Sequence, residues 1–200
     1  MTQPSFDFAG VVPILATPFH ADETLDLDSL ARLVRFMAGL GVDGVTVLGV
    51  LGESNRLSDA DREAAIRAAV AAAGATPVIV GVSHPGTRAT LDLATMAGRL
   101  GAKAVMVAPS AEPVPNDERV FEYYRRVGAG SPVPIVVQDH PASTSVHMGV
   151  PLLARIAREV EGVMGVKLEA VPTPPKLRAL RAALADRPLR ITTGLGALYG

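Results

Sequence analysis

The chain has 200 residues, of which 48% are hydrophobic, and a formal net charge of −1. That is enough for one sizeable core and too little for two comfortable domains, and the scattered charges lack the clustered basic residues of a nucleic-acid footprint. Cysteine is absent, which excludes disulfides, thiolate metal sites and a cysteine nucleophile and fits a cytoplasmic location; Met1 to Phe8 do not read as a signal peptide, and no apolar run reaches the roughly 18 residues of a membrane helix.

Short β-branched runs alternate with helical patterns along the chain. Residues 11–16 read as a strand closed by Thr17-Pro18, and 26–40 as a helix with apolar positions Leu27, Leu30, Val34 and Met37. A strand at 44–49 precedes an alanine-rich helix at 59–73 with Ser58 as its N-cap. The unit repeats as strand 77–82 and helix 87–100, strand 104–108 and helix 117–127 capped by Asn116, strand 134–137 and helix 150–160. Strand 163–170 follows, then a helix opened by Thr173 with Pro174 at its first position, then a strand at 189–193.

Strands recurring about every 30 residues, each followed by a helix, are the pattern of parallel β/α units. A doubly wound sheet would carry a glycine-rich phosphate turn after its first strand, and Thr17-Pro18-Phe19-His20 stands there instead. The pattern predicts an α/β (β/α)₈ TIM barrel. Seven strands and six helices are counted where such a barrel takes about 250 residues. The expectation is therefore a single domain over 1–200 lacking its C-terminal part.

In such a barrel the reacting groups lie at the carboxyl ends of the strands. The strand ends offer the turn 49–54, then Ser83-His84-Pro85, Gln138-Asp139-His140, Lys167 with Glu169, and Gly194-Leu195-Gly196. Lys167 stands out, because the chain has only the lysines Lys103, Lys167 and Lys176 and this one interrupts an apolar strand. Desolvation disfavours the charged form of an amine and frees it as a nucleophile toward carbonyls. The alternative is a structural ion pair with Glu169, and the strand alone does not choose between them. Alternation puts Gly165, Lys167 and Glu169 on one face, and Val136, Gln138 and His140 on one face of the preceding strand. His20, His84, His140 and His147 show no metal-ligand spacing, and neither Ser54 nor Ser83 lies in a nucleophile elbow.

Taken in order, the segment 10–19, the turn ending Gly52-Glu53-Ser54, Val107-Ala108-Pro109, Pro141 and Gly165-Val166-Lys167 resemble the dihydrodipicolinate synthase / N-acetylneuraminate lyase family of class I aldolases over essentially the whole chain. The resemblance implies a (β/α)₈ barrel, a homo-oligomer (dimer or tetramer), and Lys167 as the Schiff-base lysine. The family's threonine pair in the turn after the second strand is here Val50 and Leu51, its strand-five tyrosine Gln138, its tyrosine pair after strand four Ser110 and Ala111, and the synthase arginine Ser143. These replacements argue for another substrate or another route for protons than in the synthase itself. The expected function is a Schiff-base lyase, aldolase or dehydratase acting on a 2-oxo acid such as pyruvate, without an external cofactor or metal. Lys167 and His140 are its candidate catalytic residues, with Asp139 and Glu169 as further proton-transfer candidates. Val50, Leu51, Gln138, Glu169 and Gly194 are the candidate substrate-binding residues. A catalytically silent barrel that binds a small oxo acid as a sensor or partner is the alternative.

Overall fold

The computed structural model describes residues 6–110, 116–187 and 189–194. Its backbone contacts gather these into two compact units. One comprises the described residues up to Val82 with Leu93–Val105; the other comprises Ser83–Asp92 and the described residues from Met106 on. The division runs through helix α3 (Thr87–Arg99) and strand β3 (Ala104–Val107).

In the first unit, helix α1 (Leu27–Gly39) starts where the Asp26 carboxylate accepts the Ser29 N–H at 2.8 Å. That bond satisfies one of the donors a helix start leaves open. Leu30 and Val34 are buried and Leu27 and Met37 half-buried, so the expected stripe is the packed face, which lies against α2 (Asp59–Ala72). Ser58 and Asp61 form a reciprocal capping box at the start of α2. Strand β1 (Val45–Val47) pairs in parallel with β2 (Val78–Gly81), and every residue of both is buried.

The expected first strand, 11–16, is not a strand in the structure. It makes a single parallel bridge, Ile14 to Thr46, with the Leu15 N–H donating to Thr46 O and the Thr46 N–H to Pro13 O, both at 2.8 Å. Pro13 has no N–H to extend the ladder. Six strands are therefore present among the described residues, not seven.

The second unit holds the parallel strands β4 (Ile135–Asp139), β5 (Val163–Leu168) and β6 (Arg190–Thr193), β5 lying between the other two. Helices α4 (Asp117–Gly130), α6 (Val150–Glu159) and α7 (Thr173–Ala183) pack in that sequence, with α6 on β5. Asn116 caps α4 by accepting the Glu118 N–H at 2.8 Å. Two features depart from expectation. A short helix α5 (Pro141–Thr144) follows β4, and α7 begins at Thr173 itself, with Pro172 as its cap. The Thr173 hydroxyl donates to Ala170 O at 2.9 Å, so it ties the helix to the end of β5 instead of capping it.

The end of β1 turns through Leu48, whose φ of 57° lies in the left-handed region, and its carbonyl oxygen fills the space beside Gly81. A Cβ on Gly81 would lie 2.0 Å from that oxygen. Gly81→Ala is therefore expected to lower folding stability by about 1–3 kcal/mol, measured by urea or thermal melts against the wild-type chain; superimposable melts would contradict this packing.

Candidate active site

The parallel register sets Gln138, Lys167 and Thr192 side by side on β4, β5 and β6. Neighbouring residues in register share a face of the sheet, so Gln138 and Lys167 point to the same side. Lys167 is 7% exposed and Glu169, one residue past the end of β5, is 6% exposed. The Lys167 ammonium lies 3.0 Å from Glu169 Oε1, and Gln138 Nε2 donates to Glu169 Oε2 at 2.8 Å. Both carboxylate oxygens are thus engaged, one by a cation and one by an amide. The ion pair that the sequence offered as an alternative to a nucleophile is present. It is also the arrangement in which an ammonium proton has an acceptor within hydrogen-bond reach.

Gly194 joins this cluster. It follows β6, and a Cβ there would lie 2.0 Å from Glu169 Oε1, so the Glu169 carboxylate occupies the place of the missing side chain. Lys167, Gln138, Glu169 and Gly194 are the sequence candidates the structure brings together.

Asp139 goes the other way. As the residue after Gln138 on an extended strand it faces the opposite side, where it is 0% exposed and accepts a 2.6 Å bond from the Lys176 ammonium of α7. Its Oδ1 has no hydrogen-bond partner. Burial pushes its carboxyl above the usual range, while Lys176 and then His147 pull it down and Glu169 adds to the rise. The Lys176 side chain is 17% exposed and holds a buried carboxylate. No local pattern marks this pair, whose members lie 37 residues apart on different elements.

His140 lies past the end of β4, and its backbone (φ −127°, ψ 72°) leaves the strand alternation. Its carbonyl accepts the Ser143 and Thr144 N–H groups of α5, and its Nδ1 is 2.5 Å from Ser143 Oγ. Among the described residues its bonds stay within that turn, with none to Lys167, Glu169 or Gln138. Pro141 opening α5 supplies the reason, since a residue before proline is steered by the ring and helices accept proline in their first turn. Ser83 is likewise spoken for, its hydroxyl accepting the Ala108 N–H at 2.9 Å. Ala111, Leu195 and Gly196 lie outside the described residues.

In the first unit, Val50 and Leu51 open a 3₁₀ turn (Val50–Gly52) and are 47% and 66% exposed. The bonds of this turn run from the Gly52 N–H to Gly49 O and from the Glu53 N–H to Val50 O, so the N–H groups of Val50 and Leu51 at its open start donate to no carbonyl of the turn. Thr17 Oγ1 donates to Gly52 O, and the buried Arg62 donates to Ser54 O, each at 2.7 Å. Arg62 escaped sequence reasoning; it lies within α2 with no pattern to announce that it holds the preceding turn.

The dihydrodipicolinate synthetase family model matches residues 7–186. The chain belongs to that family. It is 38% identical over 176 residues to an L-2-keto-3-deoxyarabonate dehydratase of Azospirillum brasilense and 37% identical over 166 residues to a 4-hydroxy-tetrahydrodipicolinate synthase of Thermotoga petrophila. These matches cover 86% and 82% of the chain. A dihydrodipicolinate synthase from Rhodopseudomonas palustris superposes with a TM-score of 0.87 at 38% identity over 93% of the chain. A prophage protein of Escherichia coli K12 in the same family, solved in complex with pyruvate, gives 0.87 at 26% identity over 94%. The chain spans 56% of the length of both curated relatives and 63% of both solved chains. Members of the family are lyases and aldolases, and the α/β fold with its parallel strand pairing matches theirs. No helix among the described residues is long and apolar enough to cross a membrane.

The place of the Glu169 carboxylate beside Gly194 is open to a direct check. Gly194→Ala is expected to push the carboxylate off and cost about 1–3 kcal/mol of stability in thermal melts, with the Glu169 contacts to Lys167 and Gln138 both disturbed in a crystal structure of the variant; an unchanged melt and an unmoved Glu169 would show that the β6 end gives way instead.

Proposed function

We propose that the protein is a class I lyase that forms a Schiff base between Lys167 and a 2-oxo acid. The architecture proposed with it is the family's (β/α)₈ barrel. The observation that carries the reading is the buried Lys167–Glu169–Gln138 cluster at the ends of β4 and β5. Catalytic groups in such folds sit at strand carboxyl ends. Membership of the family and the pyruvate complex of its E. coli relative support a 2-oxo acid as the ligand.

The proposed chemistry starts with transfer of the Lys167 ammonium proton to Glu169, 3.0 Å away. The free amine attacks the ketone carbon, a C–N bond forms and the ketone oxygen leaves as water, giving an iminium. The iminium nitrogen draws electrons from C3, whose proton passes to Glu169, and an enamine results. With a hydroxyl on C4, the enamine expels it, and it takes the proton from Glu169 and leaves as water; without one, C3 of the enamine attacks an aldehyde carbon to form the C3–C4 bond, the new alkoxide taking that proton, and in either case water hydrolyses the resulting iminium to release the product and free Lys167. Glu169 takes the proton role that sequence alignment of faces offered to His140, because it touches the amine and His140 is engaged in its own turn. Gln138 replaces a family tyrosine with a group that cannot titrate. Its contribution is to hold Glu169 and to offer the amide for a substrate oxygen.

The Azospirillum relative's dehydratase activity favours a 2-keto-3-deoxy sugar acid over the aldehyde-condensing chemistry of a synthase, in keeping with the lost tyrosines and threonines. Borohydride reduction in the presence of pyruvate and a panel of 2-keto-3-deoxy sugar acids should leave a mass adduct on Lys167, and none in Lys167→Arg. An adduct elsewhere, or none with any of these acids, would defeat the proposal. Glu169→Gln should slow the exchange of pyruvate methyl protons with D₂O by about 10²-fold, whereas His140→Asn should leave it within about threefold; the reverse ranking, read by NMR, would return the proton role to His140.

A further inference from the structure

Asp139 and Lys176 take no part in this chemistry, yet they form a second ion pair in the same unit, between a fully buried carboxylate and a half-buried ammonium. Buried ion pairs are weak stabilisers, because the cost of desolvating both charges offsets their attraction, and apolar residues in both places commonly hold a fold as well or better. Here the cost is higher still, since Asp139 Oδ1 is buried without a partner. Stability alone gives a poor account of the pair.

Its connections give a better one. Lys176 belongs to the first turn of α7 and reaches back to the last residue of β4. The start of α7 is also tied to the end of β5 through the Thr173 hydroxyl and Ala170 O. Between these two ties lies Glu169, beyond the last residue of β5. Its N–H donates to the Asp139 carbonyl at 2.9 Å, and its carboxylate accepts from Gln138 at 2.8 Å. The dipeptide 138–139 thus grips Glu169 by both main chain and side chain. Lys176 in turn grips that dipeptide from the opposite face of β4.

We propose that the Asp139–Lys176 ion pair is a positioning device for Glu169: it ties the start of α7 to the end of β4 and so fixes the 138–139 dipeptide and the 169–172 segment in the arrangement that sets Glu169 against Lys167. Both are positioning residues acting through Glu169, and the inference rests on the reading of Lys167 as nucleophile and Glu169 as proton acceptor.

Two readouts on the full-length protein with pyruvate separate the parts. Borohydride trapping reports iminium formation on Lys167, and methyl-proton exchange in D₂O reports removal of the C3 proton. In the double variant D139L/K176M the melting temperature should equal or exceed that of wild type and trapping should stay within about threefold, while exchange falls about tenfold or more, as expected when a reacting group is displaced by a fraction of an ångström. K176R, which keeps the ion pair, should retain exchange within about threefold of wild type. A folded double variant with wild-type exchange would overturn the proposal. So would a double variant that does not fold, because the pair would then be a requirement of the fold itself. A wild-type chain that forms no adduct fails at the underlying reading of Lys167 instead, before any variant is compared.

Discussion

The buried parallel strand is the constraint on which the rest depends. A strand covered on both faces has to spend every N–H and C=O in its ladder, and its side chains then alternate strictly between two buried environments. On β4 this alternation sends Gln138 to one side and Asp139 to the other; on β5 it sends Lys167 and Leu168 apart in the same way. Each polar residue so buried needs a partner, supplied here by the adjoining strand, by the same strand's extension or by a helix. Gln138 meets Glu169, Glu169 meets Lys167, and Asp139 meets Lys176. One residue of slip between β4 and β5 would exchange these environments and leave charges facing apolar side chains.

The two ion pairs differ in a way that chemistry can use. Lys167 and Glu169 lie on one strand and its immediate extension, so their separation is set by local backbone geometry. Asp139 and Lys176 join a strand to a helix, so their bond fixes how two elements meet. The first is suited to moving a proton within a small site, the second to keeping that site in shape. A carboxylate that shares a cation with no other function can be held in an unfavourable, desolvated state, which is the condition burial imposes on Asp139.

Much of this was legible in the residues. The β-branched runs, the Ser58 and Asn116 caps and the lone lysine of β5 each have a local physical cause, and the structure has strands, caps and a buried lysine there. Gln138 and Glu169 could be placed on the lysine's face by counting in twos. The same counting does not carry to His140, because the strand ends at Asp139 and Pro141 begins a helix, and the apolar run 11–16 makes one bridge in place of a strand, since Pro13 cannot propagate a ladder. Lys176 and Arg62 were not legible. Their partners are a carboxylate 37 residues away and the carbonyls of a preceding turn, and nothing in a periodicity records which distant oxygen a long cation will reach.

Lysine is scarce in this chain, and its three copies have unlike surroundings. Lys167 is buried and Lys176 half-buried, each in an ion pair, whereas Lys103 is exposed. A small aldehyde or an amine-directed label in bulk solution therefore meets one lysine side chain freely and two that are shielded. Burial in this way confers chemical privacy. The amine proposed to react with a carbonyl is only 7% exposed, and the same packing that shields it pairs it with Glu169.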